Sequence, residues 1–308
     1  MIDYLFKRLL HAALILLGVT FITYLLLYLL PADPVRQIAG RSATPETIEN
    51  IRQQLGLDLP FYQQYWRYLT SLLQGDMGRS WLQKTEVAEL IAARLPASLS
   101  LLAAGIGVEL MIGLSLGIIA ALKRNSLIDR SLMIFSFIGV SSPHFVAAML
   151  FLYLFAVQWS WLPIGGYGTW QHLVLPAVTL GLLGSGWYSR MMRSSMIEVL
   201  HQDYIRTAKA KGLSRTRILF RHIIPNALLP IISMIAIDIG IFIGGMVVVE
   251  SVFGWPGIGQ LAWQAIQRVD IPIIVGVTLV SAVAIVMANL LADLVSPWID
   301  PRIDLKKL

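Results

Sequence analysis

Apolar residues in this chain collect into long unbroken runs instead of recurring on one face of shorter segments. Crossing a hydrocarbon core takes roughly 20 apolar residues in a helix, and six runs qualify: 9–30, 98–122, 131–157, 172–189, 231–249 and 271–292. The fourth is the shortest. The pattern predicts an all-α, polytopic membrane protein with six transmembrane helices. Lys7 and Arg8 precede the first run as they would in a signal peptide. That run is too long for a signal core, however, and it ends at Leu30-Pro31-Ala32-Asp33 without a small-residue cleavage site. It reads as a retained first helix.

The loops between the runs set the orientation, because short loops rich in Lys and Arg stay on the cytoplasmic side. Lys123, Arg124 and Arg130 precede the third run, and Arg190, Arg193, Arg206, Lys209, Lys211, Arg215, Arg217 and Arg221 precede the fifth. Residues 158–171 carry no charge, and 251–270 hold one basic residue, Arg268. The two basic loops are therefore expected inside and the other two outside. Lys7 and Arg8, with Arg302, Lys306 and Lys307 at the other end, then put the N- and C-termini in the cytoplasm, as an even number of crossings requires. Composition agrees: at 56% hydrophobic and 14% charged, 308 residues carry more apolar surface than a soluble core could bury, so membrane lipid must cover the rest. The net charge of +6 follows from the inside loops and calls for no nucleic acid. With no cysteine, disulfides, cysteine zinc sites and thiol nucleophiles drop out.

This organisation divides the chain into a tail and first helix (1–30), an extracytoplasmic helical region (31–97), a five-helix core (98–297) and a cytoplasmic tail (298–308). Within the outer region, Thr44-Pro45 predicts a capped helix that runs to Leu55 and stops at Gly56. A second is expected from Pro60 to about Gly75, with Phe61, Tyr62, Tyr65, Trp66, Tyr68 and Leu69 making an aromatic surface suited to the membrane interface. A third is expected from Glu86 to Leu95, ahead of Pro96. A cap on the external helix ends is the first expectation for this region, and contact with a delivered substrate or a binding protein is the alternative.

The most informative segment is the cytoplasmic loop 190–222. Asp203 can cap a helix of Tyr204-Ile205-Arg206-Thr207-Ala208-Lys209-Ala210-Lys211, closed by Gly212, where a left-handed backbone is cheapest. Ser214 can cap a second helix from Arg215 toward Ile224, ended by Pro225. Small Ala208 and Ala210 let another backbone come close, Ile205 and Leu213 offer apolar contact, and bases surround them. A loop that merely held positive charge inside would not need two capped helices in tandem.

On these residues the chain resembles the membrane permeases of bacterial ATP-binding-cassette importers, in the dipeptide, oligopeptide and nickel branch. The general importer signature, Glu-Ala-Ala, three residues, Gly, then about ten residues to Ile and Pro, aligns on Arg206-Thr207-Ala208, Gly212 and Ile223-Ile224-Pro225. Ala208 and Gly212 match, whereas Arg206 and Thr207 replace the first Glu and Ala. The flanks carry the likeness further: Asp203 to Leu213, Arg221-His222 with Asn226-Ala227, Glu250-Ser251-Val252-Phe253-Gly254-Trp255-Pro256-Gly257-Ile258-Gly259, Leu55-Gly56-Leu57-Asp58 and Asp300-Pro301-Arg302. The resemblance implies a type I importer transmembrane domain. It also implies that Tyr204, Ile205, Arg206, Ala208, Lys209, Ala210, Lys211, Gly212 and Leu213 form the helix that couples to an ATPase. A second homologous permease, two ATP-binding-cassette ATPase subunits and an extracytoplasmic solute-binding protein are the implied partners, with ATP and Mg bound by the ATPase subunits. The residues support that division independently, since the chain has no Gly-x-x-x-x-Gly-Lys-Ser/Thr phosphate loop.

Ionisable groups at membrane depth are costly and mark candidate function. Asp238 and Glu109 sit mid-run and could line a pathway, or be held between helices. Ser141-Ser142-Pro143-His144 could kink the third helix and open backbone to a cavity, so Ser142 and His144 join the pathway candidates. No second His or carboxylate stands at ligand spacing beside His144, and no metal or catalytic residue is expected. Glu250, Phe253, Trp255 and Pro256, in an outward Gly- and Pro-rich turn, are candidates for an external gate. The alternatives are a secondary transporter with Asp238 and Glu109 as proton relays, and an intramembrane hydrolase. The first leaves the 204–212 element without a role and the second lacks a base beside Gly184-Ser185-Gly186. Among importer substrates, peptide comes first, with nickel chelate and glutathione behind it. Gly168-Thr169-Trp170-Gln171-His172 bears a faint likeness to nickel members.

Overall fold

A computed structural model describes residues 2–29, 34–39 and 43–299, and among them every regular element is a helix. In chain order these are α1 (Ile2–Tyr28), α2 (Pro34–Ala39), α3 (Pro45–Gln54), α4 (Phe61–Leu73), α5 (Val87–Leu122), α6 (Leu127–Ser141) and α7 (His144–Phe151). They continue with α8 (Trp170–Leu200), α9 (Asp203–Ala210), α10 (Arg215–Ile218), α11 (Ile224–Ala227), α12 (Leu229–Val252), α13 (Ile258–Arg268) and α14 (Ile271–Ile299). Wider π-helical turns follow α7 over Leu152–Gln158 and α10 over Leu219–Ile223. The Asp300-Pro301-Arg302 motif and the basic tail residues lie outside the described residues.

The described residues of the six predicted runs are helical except Leu29, Ser142 and Pro143. Lys7–Tyr28, Val87–Leu122 and Ile271–Leu291 are each long and apolar enough to span by themselves. The third run is not one rod, because Leu127–Ser141 and His144–Gln158 meet at 103°. A proline alone kinks a helix far less. Here Ser142 leaves the helix altogether (ψ 130°), as a residue before proline is pushed to do, and Pro143 begins a new one. Two more expectations fail for opposite reasons. The helix drawn to Leu95 runs straight through Pro96 as part of α5, where the carbonyl that loses its partner belongs to exposed Ala92 and can be solvated. The helix expected to stop at Pro225 instead widens: the Ile224 amide reaches back five residues to the Leu219 carbonyl, and Pro225 then fits in the first turn of α11.

The chain forms two compact units, Met1–Ser98 with Pro256–Val286, and Leu99–Trp255 with Met287–Leu308. In the first, Phe61, Tyr65 and Tyr68 of α4 pack on Phe21, Tyr24 and Tyr28 of α1, with ring centroids 5.2–6.1 Å apart, while Tyr62 and Trp66 stay exposed. The expected aromatic surface thus splits by helical spacing. Thr44 caps α3 by accepting from the Thr47 amide at 3.2 Å, and Gly56 stops it with a left-handed backbone (φ 68°). A core of Val87, Ile91, Ile258, Leu261, Ala265 and Ile273 joins α5, α13 and α14.

The second unit is built around α8, which is buried on several sides by small-residue contacts. Gly113 and Gly117 of α5 lie against the α8 backbone at Ser185 and Ser189, where a Cβ would stand 2.7 and 2.6 Å from a carbonyl oxygen. Gly186 lies on the Ser136 carbonyl of α6, and the Ser136 and Ser189 hydroxyls meet at 2.7 Å. Lipid offers no hydrophobic drive between helices, so close backbone approach and interhelical hydrogen bonds are what such packing relies on.

Candidate functional site

The predicted coupling element stands out as a separate two-turn helix. α9 begins one residue earlier than expected: Gln202 occupies the cap position and Asp203 is the first helical residue. The Asp203 side chain does not cap but faces Arg206 at 3.3 Å in an exposed pair. At the other end Gly212 has φ 73°, the Gly212 amide donates to the Lys209 carbonyl at 3.0 Å, and the Leu213 amide donates to Ala208 at 3.3 Å. Ser214 caps α10 by accepting from the Arg217 amide at 3.3 Å. Ile205 and Ala208 are the buried side of α9, while Arg206, Lys209, Ala210, Lys211 and half-exposed Tyr204 face outward.

That buried side belongs to one apolar cluster. Ile205 and Ala208 pack with Met192, Met196 and Val199 of α8 and with Ile218, Ile223, Ala227 and Ile231, and the cluster extends along α8 to Tyr188. A displacement of α9 would therefore load α8 and the start of α12 through close-packed side chains, which transmit strain because they have few voids to collapse into.

At Tyr188 the two predicted intramembrane acids come together. Glu109 of α5 is 1% exposed and Asp238 of α12 is 8% exposed. Tyr188 of α8 is fully buried and lies close to Asp238. Glu109 Oε2, Asp238 Oδ2 and the Tyr188 hydroxyl are all buried with no partner among the described residues. Gly184 makes room for the cluster, since a Cβ there would collide with the Glu109 carboxyl. Sequence reading found both acids but not Tyr188, whose one signal was its place a helical turn beyond the glycine at 184.

Ser142 and His144 lie at the break between α6 and α7, apart from this cluster. The Ser142 hydroxyl donates to the Ile138 carbonyl at 2.7 Å, and His144 is exposed at the start of α7. Among the described residues no three His, Asp or Glu side chains converge as a metal site would need. His172, in the stretch with nickel-like character, has its Nδ1 2.7 Å from the Thr169 hydroxyl. A pair that sequence reading missed ties α6 to α8, ahead of the apolar run that begins at Ser131. Arg193 Nε and Nη2 donate to Asp129 Oδ1 and Oδ2 at 2.6 and 2.7 Å. The guanidinium holds the Asp129 carboxyl below the usual carboxylate range, helped by the Asn125 amide and opposed by burial.

In the Gly- and Pro-rich turn after α12, Glu250, Phe253 and Trp255 are at most 2% exposed. The Trp255 amide donates to the Glu250 carbonyl at 2.8 Å, closing the turn after α12. The neighbouring loop latches onto it: the Gly166 amide donates to the Phe253 carbonyl at 3.0 Å, and Tyr167 meets Trp255 edge-on with centroids 4.8 Å apart. Pro256 follows in the same turn.

Residues 113–305 match the family described as binding-protein-dependent transport system inner membrane component, and residues 1–102 match the N-terminal model of such membrane components. The glutathione transport system permease protein GsiC of Salmonella paratyphi A is 40% identical over 99% of this chain and 100% of its own length. Its counterpart in Escherichia coli K12 is 39% identical over the same shares. Among solved structures, the inward-facing MetNI methionine ABC transporter aligns with TM-score 0.59 at 17% identity, covering 68% of this chain and 96% of that one. An amino acid ABC transporter aligns with TM-score 0.51 at 16% identity, covering 68% and 94%. These two show the fold. The chain belongs to the binding-protein-dependent transport system inner membrane component family: it is a multi-pass inner-membrane permease of a bacterial ABC importer, working with other importer components and leaving ATP hydrolysis to separate subunits.

Proposed function

We propose that this permease forms half of a pathway for small peptides, pairing with a second homologous permease above two ATPase subunits and receiving substrate from an external binding protein. ATP and Mg are held by the ATPase subunits, and nucleotide-driven movement reaches this chain through Tyr204 to Leu213. The observation that carries the reading is the exposed basic face of α9, with its opposite face rooted through Ile205 and Ala208 in the apolar cluster that ends at Tyr188. A grip on that face has a mechanical route to Glu109 and Asp238, which together with Ser142 and His144 are the proposed pathway residues. Glu250, Phe253, Trp255 and Pro256 are the proposed outer gate. Alternating access follows if closure at α9 shifts α8 against α5 and α12.

Glutathione is a tripeptide, so the full-length similarity to glutathione permeases keeps it within the proposed peptide class and gives it weight beside ordinary di- and oligopeptides. The test is ATP-dependent uptake by the co-expressed complex in proteoliposomes, offered dipeptides, oligopeptides, glutathione or a nickel chelate. Peptide or glutathione accumulation that needs both ATP and the co-purified ATPase is expected. Uptake of nickel chelate alone, or uptake driven by a proton gradient without ATPase, would overturn the proposal.

A further inference from the structure

Behind α9, on the cytoplasmic side of the second unit, lies a cavity of about 690 Å³ between the last turn of α5, the end of α8 and the α10 region. Its lining is two-faced. Leu122, Leu219 and Ile223 stand on the apolar side, and Lys209, Arg215 and Thr216 on the polar side, with no acidic residue anywhere in the wall. Neither Lys209 nor Arg215 has an ion-pair partner among the described residues. Leu122 is the last residue of a membrane-spanning helix and is 50% exposed, so the apolar wall continues the lipid-facing surface of α5.

We propose that this cavity is a binding site for an anionic phospholipid of the cytoplasmic leaflet. Lys209, Arg215 and the Thr216 hydroxyl take the phosphate, and the aliphatic wall takes the first part of an acyl chain. Basic pockets beside membrane helices on the inner face suit such headgroups. A zwitterionic lipid would bring its own cation next to two others, and free phosphate would leave the aliphatic side unfilled. The occupied site would brace α9 against α5 and α10. It depends on the importer reading only for the cytoplasmic placement of this loop.

The test uses the purified importer complex in nanodiscs of phosphatidylglycerol or phosphatidylcholine, followed by mild detergent extraction and native mass spectrometry of retained lipid. Phosphatidylglycerol is expected to be retained and phosphatidylcholine lost. Arg215→Gln should lower retention about fivefold, the factor carried by one basic contact at a membrane surface. Arg215→Lys should keep it. Arg217→Gln, on the same short helix but outside the cavity wall, controls for bulk charge and should change nothing. Equal retention of both lipids, or equal effects of the two Gln variants, would overturn the proposal. So would release of the ATPase subunits from Arg215→Gln with lipid retention unchanged, which would make the cavity a protein contact. Peptide uptake, measured separately, tests the importer reading without reference to the lipid.

Discussion

Arg193 grips Asp129 through two parallel hydrogen bonds of 2.6 and 2.7 Å, joining the C-terminal part of α8 to the first turn of α6. The Asp129 side chain is 4% exposed and Arg193 26%, so removing the guanidinium strands a buried carboxylate that water reaches from one side only. Arg193→Ala should cost about 2 kcal/mol, below the usual figure for a fully buried pair because Arg193 is partly solvated. Thermal unfolding of the detergent-solubilised subunit measures this. Asp129→Asn with Arg193→Gln should recover part of the loss, since neither charge is then left alone.

The same pair sets a pH window. Asp129 is held below its ordinary value by the Arg193 hydrogen bonds, so its contribution is fully present above about pH 4 and is lost as pH falls through the lower folded value. The wild type should lose thermal stability over that acid range more steeply than Asp129→Asn. Parallel curves for the two proteins would show that Asp129 does not titrate with folding.

Gly212 stops α9 with φ 73°, and a Cβ there would meet nothing within 4 Å. Any effect of substitution is therefore backbone strain, of order 1–2 kcal/mol for an ordinary residue. Gly212→Val should insert and assemble but lose ATP-driven uptake, while Gly212→Asn, which tolerates the left-handed region, should retain most of it. Unchanged uptake in the Val variant would remove the coupling role proposed for this turn.

Gly184 leaves the space that the Glu109 carboxyl fills. Gly184→Ala should destabilise by about 1–3 kcal/mol as the carboxyl is displaced. Adding Glu109→Ala should relieve most of that cost, a coupling that a double-mutant cycle on thermal unfolding reads directly. Additive losses would mean that the two positions do not share this space.

In the first unit, Asp270 is 2% exposed and accepts from the Ser80 hydroxyl at 2.5 Å and from the Trp81 and Leu82 amides at 3.3 Å each. Its neighbour Val269 takes a left-handed backbone (φ 51°), an uncommon state for a β-branched residue. Asp270→Ala should release the 79–86 segment, read as faster amide exchange at Trp81 and Leu82 with exchange in α8 unchanged.

Much of this architecture was legible before any coordinates. Long apolar runs, an asymmetry of basic loops, Thr44 before Pro45 and Gly212 after a short basic helix are all local, and local physics decides them: bilayer thickness, charge translocation, cap hydrogen bonds and the sterics of a left-handed backbone. Proline was the weak point of that reading. Pro96 is carried within a helix because Ala92 is exposed, and Pro225 is accommodated by a π turn, outcomes that depend on solvation and re-registration around the ring and not on the proline itself.

By itself, then, the chain's sequence determined that this is a helical membrane permease, and it supplied the expectations of which loops lie inside and which segment a partner would grip. The tertiary structure alone decided that Glu109, Tyr188 and Asp238 meet and that Arg193 reaches Asp129. Those residues are tens of positions apart on different helices. Which faces of two apolar helices meet depends on rotation and close packing set by glycines such as Gly113 and Gly184, and no hydropathy pattern encodes rotation when all sides of a helix are apolar.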